Sequence, residues 1–198
     1  MQCHVVGFVR DPEVGEHSPL IGNLREEKDP FRCALAARLL PPTSRIRVTH
    51  VGRPYDEVFA EEARDHTASN PRYRWLGEVP RWKTRRLLSR SRLLAQTSIM
   101  EGGANVVSEA LAAGVPVVGS DIPGNVGMLG EDYPGYYGVG DEVALARLLH
   151  RAETDEAFYE ALNVGCAARR HLVAPERERA ALESLVKEAG EARYRGKI

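Results

Sequence analysis

Short β-branched runs alternate with amphipathic helical stretches along most of this chain, and that alternation limits the folds open to it. "SPLIG" (18–22) reads as a strand followed by a polar loop. Asp29-Pro30 reads as an N-cap with proline at the first helical position, opening "FRCALAARLL", which stops against Pro41-Pro42. "RIRVTHV" (45–51) is a strand, and Tyr55, Val58, Phe59 and Ala63 mark the apolar stripe of a helix. "YRWL" (73–76) is a strand, a basic helix spans about 80–90, and "LLAQT" (93–97) is a strand. A helix then runs from Asn105, "VPVVG" (115–119) is a buried strand, and "YYGV" (136–139) is a last short one. Helices are expected over about 141–152, 155–170 and 175–190. Repeated strand–helix units form a parallel sheet with helices on both faces. The expectation is therefore α/β: a Rossmann-like, doubly wound parallel sheet of about six strands.

Such sheets bind ligands beyond the carboxyl ends of their strands, where the strand order reverses. In the commonest order the reversal falls between the first and fourth strands. The loops there are "GNLREEKD" and "SIMEGGAN", the two richest in charge and glycine. A helix start offers unpaired N–H donors and the positive end of a dipole, to which phosphate binds. Gly102 and Gly103 remove side chains just before that start, so an anion can approach the backbone. Lys28 on the facing loop offers a point charge, and Arg25 a forked donor. Glu109 lies about one turn inside the helix, too near a bound phosphate to be its partner. Its carboxylate suits a vicinal diol such as a ribose, and Glu101, on the loop before the helix, suits a second polyhydroxy group. Together these groups fit a nucleotide sugar.

Composition excludes several other classes. Lys plus Arg number 27 and Asp plus Glu 28, so no overall charge draws the chain to nucleic acid or membrane. No apolar run approaches the ~20 residues that span a bilayer, and the N-terminus lacks the pattern of a signal peptide. Cys3, Cys33 and Cys166 are odd in number and widely spaced, which suits reduced thiols in a cytoplasm. No metal-ligand spacing and no Ser/His/Asp arrangement is present, and neither metal nor cofactor is expected. The basic residues Arg81, Lys83, Arg85, Arg86, Arg90 and Arg92 read as a solvated helix rather than a nucleic-acid patch. His50 and His171 read as structural.

"EGGANVVSE" resembles the E-x7-E signature of retaining glycosyltransferases of family 4, which have the two-domain GT-B fold. "GNLREEKDP" resembles their phosphate-binding loop, and "YRWLGEVP" the strand and turn lining the nucleobase pocket. The resemblance covers about 18–175, with the motifs in order. "LREEKDPF", "NPRYRWLGE", "MEGGANVVSEALAAGVPV" and "IPGNVGMLGEDYPGY" together resemble the selenosugar synthases of selenoneine biosynthesis. The resemblance implies the C-terminal, donor-binding half of such an enzyme. It implies a UDP-sugar donor, with UDP-N-acetylglucosamine the expected one, and selenophosphate as acceptor. It assigns Glu109 to the ribose hydroxyls, Glu101 to the donor sugar and Lys28 to the diphosphate, with Glu101 and Lys28 as the catalytic pair. The backbone from Gly102 and Gly103 through Ala104, Asn105, Val106 and Val107 would cap the distal phosphate, and Gly77 and Val79 would line the base pocket. The family's arginine after the loop glycine is Asn23 here, so Arg25 is the candidate substitute.

On that resemblance, residues 1–17 are a linker or the remnant of a missing N-terminal acceptor domain. Residues 18–175 are the nucleotide-sugar domain, and 176–198 a C-terminal helix and tail. Two rivals stand beside this reading: a glycoside hydrolase using Glu101 and Glu109 as acid and nucleophile, and a nucleotide-binding domain without turnover of its own.

Overall fold

The computed structural model describes residues 10–11, 15–21, 23–103, 105–174, 176, 177, 179 and 183–185. The strands are β1 (Arg10–Asp11), β2 (Gly15–Ile21), β3 (Arg47–Val51), β4 (Tyr73–Trp75), β5 (Leu94–Gln96), β6 (Val117–Ser120) and β7 (Tyr136–Tyr137). The helices are α1 (Arg32–Arg38), α2 (Glu57–Ser69), α3 (Arg81–Ser89), α4 (Asn105–Ala113), α5 (Pro123–Leu129), α6 (Glu142–Thr154) and α7 (Glu156–Arg169). Short 3-10 turns occupy Glu26–Lys28 and Arg170–Val173.

β2, β3 and β4 pair in parallel, and so do β5, β6 and β7. β1 runs antiparallel against the start of β2. β5 packs beside β2. From that seam the chain builds outward in opposite directions, β3 then β4 on one side and β6 then β7 on the other. This is the expected doubly wound order, with its reversal between β2 and β5. Among the described residues the parallel strands form two ladders, β2–β4 and β5–β7, rather than one continuous sheet of about six, and β1 is a short addition.

Every residue of β5 and β6 is buried. Successive side chains point to opposite faces, so both faces of these strands are covered. The main core joins them to Ala34, Ala37, Val107, Leu111, Leu145 and Leu149 of the flanking helices. α1 packs on α6 and α6 on α7, while α4 contacts α3, α5 and α7. Among the described residues, three helix starts carry an aspartate cap. Asp56 accepts from the amide of Phe59 at 3.1 Å, Asp141 from Ala144 at 2.7 Å and Asp155 from Phe158 at 2.9 Å.

Two local expectations need correction. Asp29 is not an N-cap: it closes the 3-10 turn in the left-handed region, φ 43°, and α1 starts three residues later. Aspartate tolerates that conformation better than most residues, and its carboxylate takes Arg32 Nε at 2.7 Å. α5 has no counterpart in the sequence reading, because Pro123-Gly124-Asn125 has the composition of a turn. The expected helix over 175–190 falls largely outside the described residues.

Candidate functional site

β2 and β5 end side by side, and the loops that follow them are tied together. The Ile99 amide donates to the Glu27 carbonyl at 2.9 Å, and Thr97 Oγ1 donates to the Lys28 carbonyl at 2.9 Å. Lys28 stands at the end of the 3-10 turn, and its Nζ donates to Glu101 Oε1 across 73 residues of sequence. Both side chains are 13% exposed, so the pair is shielded from solvent while remaining at the crevice. Ser98 Oγ donates to the same carboxylate oxygen at 3.1 Å.

Behind Glu101 lies a chain of buried polar groups. Gln96 Nε2 donates to Ser98 Oγ at 2.8 Å, and the Ser98 amide donates to Gln96 Oε1 at 3.2 Å. Asn125 Nδ2 donates to Gln96 Oε1 at 3.0 Å and to the Ser120 carbonyl at 2.8 Å. Ser120 Oγ donates to the Ser98 carbonyl at 2.5 Å. Gln96, Ser98, Ser120 and Asn125 are all buried. A buried polar network specifies one geometry when its bonds are made, and this one fixes the loop that presents Glu101. α5 closes that loop from the other side. A Cβ on Gly124 would lie 2.2 Å from the Glu101 carbonyl oxygen, so only glycine lets the helix approach this closely.

α4 starts at Asn105, and its first amides have no partner within the helix. Asn105 is exposed, whereas the side chains of Val106 and Val107 are in the core, so only their backbone can face a ligand. Gly102 and Gly103 are exposed, and a Cβ on either would meet nothing within 4 Å. No protein contact demands glycine there, so the space over this backbone is open. Ala104 lies outside the described residues.

Glu109 sits within α4, 17% exposed, and its Oε1 faces Arg81 Nη2 at 3.3 Å and Arg85 Nε at 3.9 Å from α3. From sequence these two arginines read as part of a solvated basic helix. Their i, i+4 spacing is visible in the sequence, but their partner lies on the next helix.

The remaining expected residues flank these two carboxylates. Asn23 is half-buried in the loop after β2. Arg25 lies with its guanidinium over the Tyr55 ring, 5.4 Å from the centroid, and 3.8 Å from Glu27. Gly77 turns the chain after β4 at φ +67°, and its carbonyl accepts from the Gly52 amide at 2.9 Å. Val79 packs half-buried against the core. His50 is buried, its Nδ1 2.6 Å from the Tyr73 hydroxyl, as a structural histidine would be. Among the described residues, no three His, Cys, Asp or Glu side chains gather to hold a metal, and no helix is long and apolar enough to cross a membrane.

A family model described as "Glycosyl transferases group 1" matches residues 12–169. No curated protein sequence matches the chain. Among solved structures, HepE of Anabaena in complex with UDP-glucose is 19% identical, with a TM-score of 0.67 over 82% of this chain and 47% of that one. The same protein with UDP gives 20% identity and a TM-score of 0.68, with the same coverage of 82% and 47%. Sucrose-phosphate synthase of Thermosynechococcus elongatus is 18% identical, with a TM-score of 0.71 over 87% of this chain and 45% of that one. The chain thus spans about half the length of these structures. At such identities the likeness shows the fold, which is that of GT-B glycosyltransferases.

Proposed function

The chain belongs to the group 1 glycosyl transferases, and from that premise we propose that it is the nucleotide-sugar-binding part of a retaining GT-B enzyme of family 4. One observation carries the reading: Lys28 and Glu101 meet at the strand-order reversal, immediately before a helix start stripped of side chains by Gly102 and Gly103. A diphosphate held by Lys28 and the α4 amides places the attached sugar against Glu101. Glu109, further along α4, takes the ribose hydroxyls, and the turn at Gly77 and Val79 lines the base.

In this reading the bond from the anomeric carbon to the diphosphate oxygen breaks, and its electron pair leaves on UDP. The acceptor bonds to that carbon with the anomeric configuration retained. Lys28 and the helix start stabilise the charge gathering on the leaving group. The four quoted sequence runs support UDP-N-acetylglucosamine as donor and selenophosphate as acceptor: selenium takes the sugar, and water then cleaves the Se–P bond, releasing phosphate and leaving a selenosugar. The reading requires no metal. A second domain, in cis or in trans, supplies the acceptor side of the cleft.

Isothermal titration with UDP and uridine tests the donor site: UDP binds, and Lys28→Ala weakens UDP more than uridine. Equal losses for the two ligands would contradict the phosphate role. Mass spectrometry of UDP-N-acetylglucosamine with selenophosphate tests transfer. These 198 residues alone are expected to bind the donor and to transfer little, because transfer needs donor and acceptor held in one water-poor cleft. The second reading is nucleotide binding without turnover of its own. Restoration of transfer by an acceptor domain would exclude it.

A further inference from the structure

We infer that Arg81 and Arg85 are positioning residues for Glu109, holding one carboxylate oxygen so that the other accepts from a ribose diol. The inference rests on the donor-site reading above and deepens it.

Arg81 and Arg85 stand four residues apart on α3, on the face turned to α4. Both address the same atom, Glu109 Oε1, at 3.3 and 3.9 Å. Glu109 Oε2 has no protein partner among the described residues. The remaining basic residues of this segment behave differently. Lys83, Arg86 and Arg90 are exposed and form no ion pair among the described residues, and Arg92 pairs with Glu156 at 3.4 Å. The two arginines are 51% and 59% exposed, and ion pairs between such groups add little to folding stability.

Their effect falls on the glutamate. A glutamate side chain free to rotate loses that freedom when a ligand binds, a cost of up to about tenfold in affinity. Two guanidinium groups on Oε1 restrict the side chain before the ligand arrives, which is preorganisation. Because both occupy the same oxygen, the second oxygen keeps its full accepting capacity. A carboxylate accepts only, and a vicinal diol can give it two donors.

The test is calorimetry on the 198-residue chain with UDP and with 2′,3′-dideoxy-UDP, which lacks the diol. Replacing both arginines, Arg81→Ala with Arg85→Ala, is expected to weaken UDP by about three- to tenfold and to leave the dideoxy ligand unchanged. In a Glu109→Gln background the same two changes are expected to cost nothing further. Equal loss for both ligands overturns the inference, since the arginines would then touch the nucleotide directly or support the fold. Unchanged or tighter UDP binding also overturns it, by making them competitors for the carboxylate. If the unsubstituted chain binds no UDP, the donor-site reading fails and the inference with it.

Discussion

The two glutamates of the site, eight positions apart in sequence, are held by opposite means. Glu101 is on a loop and would be mobile by itself. It is fixed by Lys28, by Ser98 and by the buried network of Gln96, Ser120 and Asn125, with Gly124 packed against its carbonyl. Glu109 is on a helix, which fixes its backbone, and only its carboxylate needs orienting. Two half-exposed arginines do that. A flexible segment placed at a reaction centre needs a rigid surrounding to hold its geometry, whereas a helical residue needs only its rotamer restrained. The first corner should therefore be intolerant of substitution and selective for the diphosphate and sugar. The second should be tolerant and act on the nucleoside alone.

The most disruptive change is expected to be Gly124→Ala. Its Cβ would meet backbone atoms of residue 101 at 2.2 and 2.9 Å, so the loop must move. Loss of up to about 3 kcal/mol of stability is expected in thermal denaturation. UDP-sugar binding should fall well below uridine binding in calorimetry. A variant with unchanged melting and unchanged donor affinity would show that the loop is not held as described.

Lys28→Ala comes next. It is expected to remove about 2 kcal/mol from UDP binding and nothing from uridine, since in the proposed reading only the diphosphate reaches that side chain. Glu109→Ala should instead weaken uridine and UDP alike, by about 1–2 kcal/mol, because both ligands carry the diol. If Glu109→Ala spared uridine, the division of labour between the corners would be lost.

Glu101→Gln should have a smaller effect of opposite sign. UDP must draw Lys28 away from a carboxylate in the unsubstituted chain, so the neutral amide is expected to tighten UDP by about 0.5–1 kcal/mol. The advantage of UDP-sugar over UDP should shrink in the same titrations. Weaker UDP binding would mean that Glu101 supports the lysine rather than competing for it.

The smallest effect concerns the arginines. Arg81→Ala alone should change stability by no more than about 0.5 kcal/mol, because the pair is exposed and screened. A larger shift in melting temperature would make the second corner structural, like the first.

Much of the fold was legible because its signals are local. The fully buried strands β5 and β6 read as apolar runs, and the helices expected over about 141–152 and 155–170 are α6 and α7. α5 was not legible. Seven residues beginning Pro-Gly-Asn carry turn composition, and their helix depends on Asn125 reaching Gln96 and on Gly124 closing on the Glu101 loop. Asp29 misled in the same way: Asp-Pro before an apolar run signals a helix start, yet here it ends a 3-10 turn one step earlier.

The sequence by itself determined the alternation of strands and helices and the types of group on the loops after β2 and β5, while the place of the reversal was an assumption from the commonest order that the structure matches. Periodicity, capping and glycine placement act within a few residues, so they survive in a linear reading. Tertiary structure alone decided which charges face one another. Lys28 finds Glu101 across 73 positions, Asn125 finds Gln96 across 29, and Arg81 finds Glu109 across 28. The same structure lays Arg25 over Tyr55, 30 positions away. A side chain's charge is written in its residue type. Its partner is set by which strand ends and helix faces the packed core brings within reach.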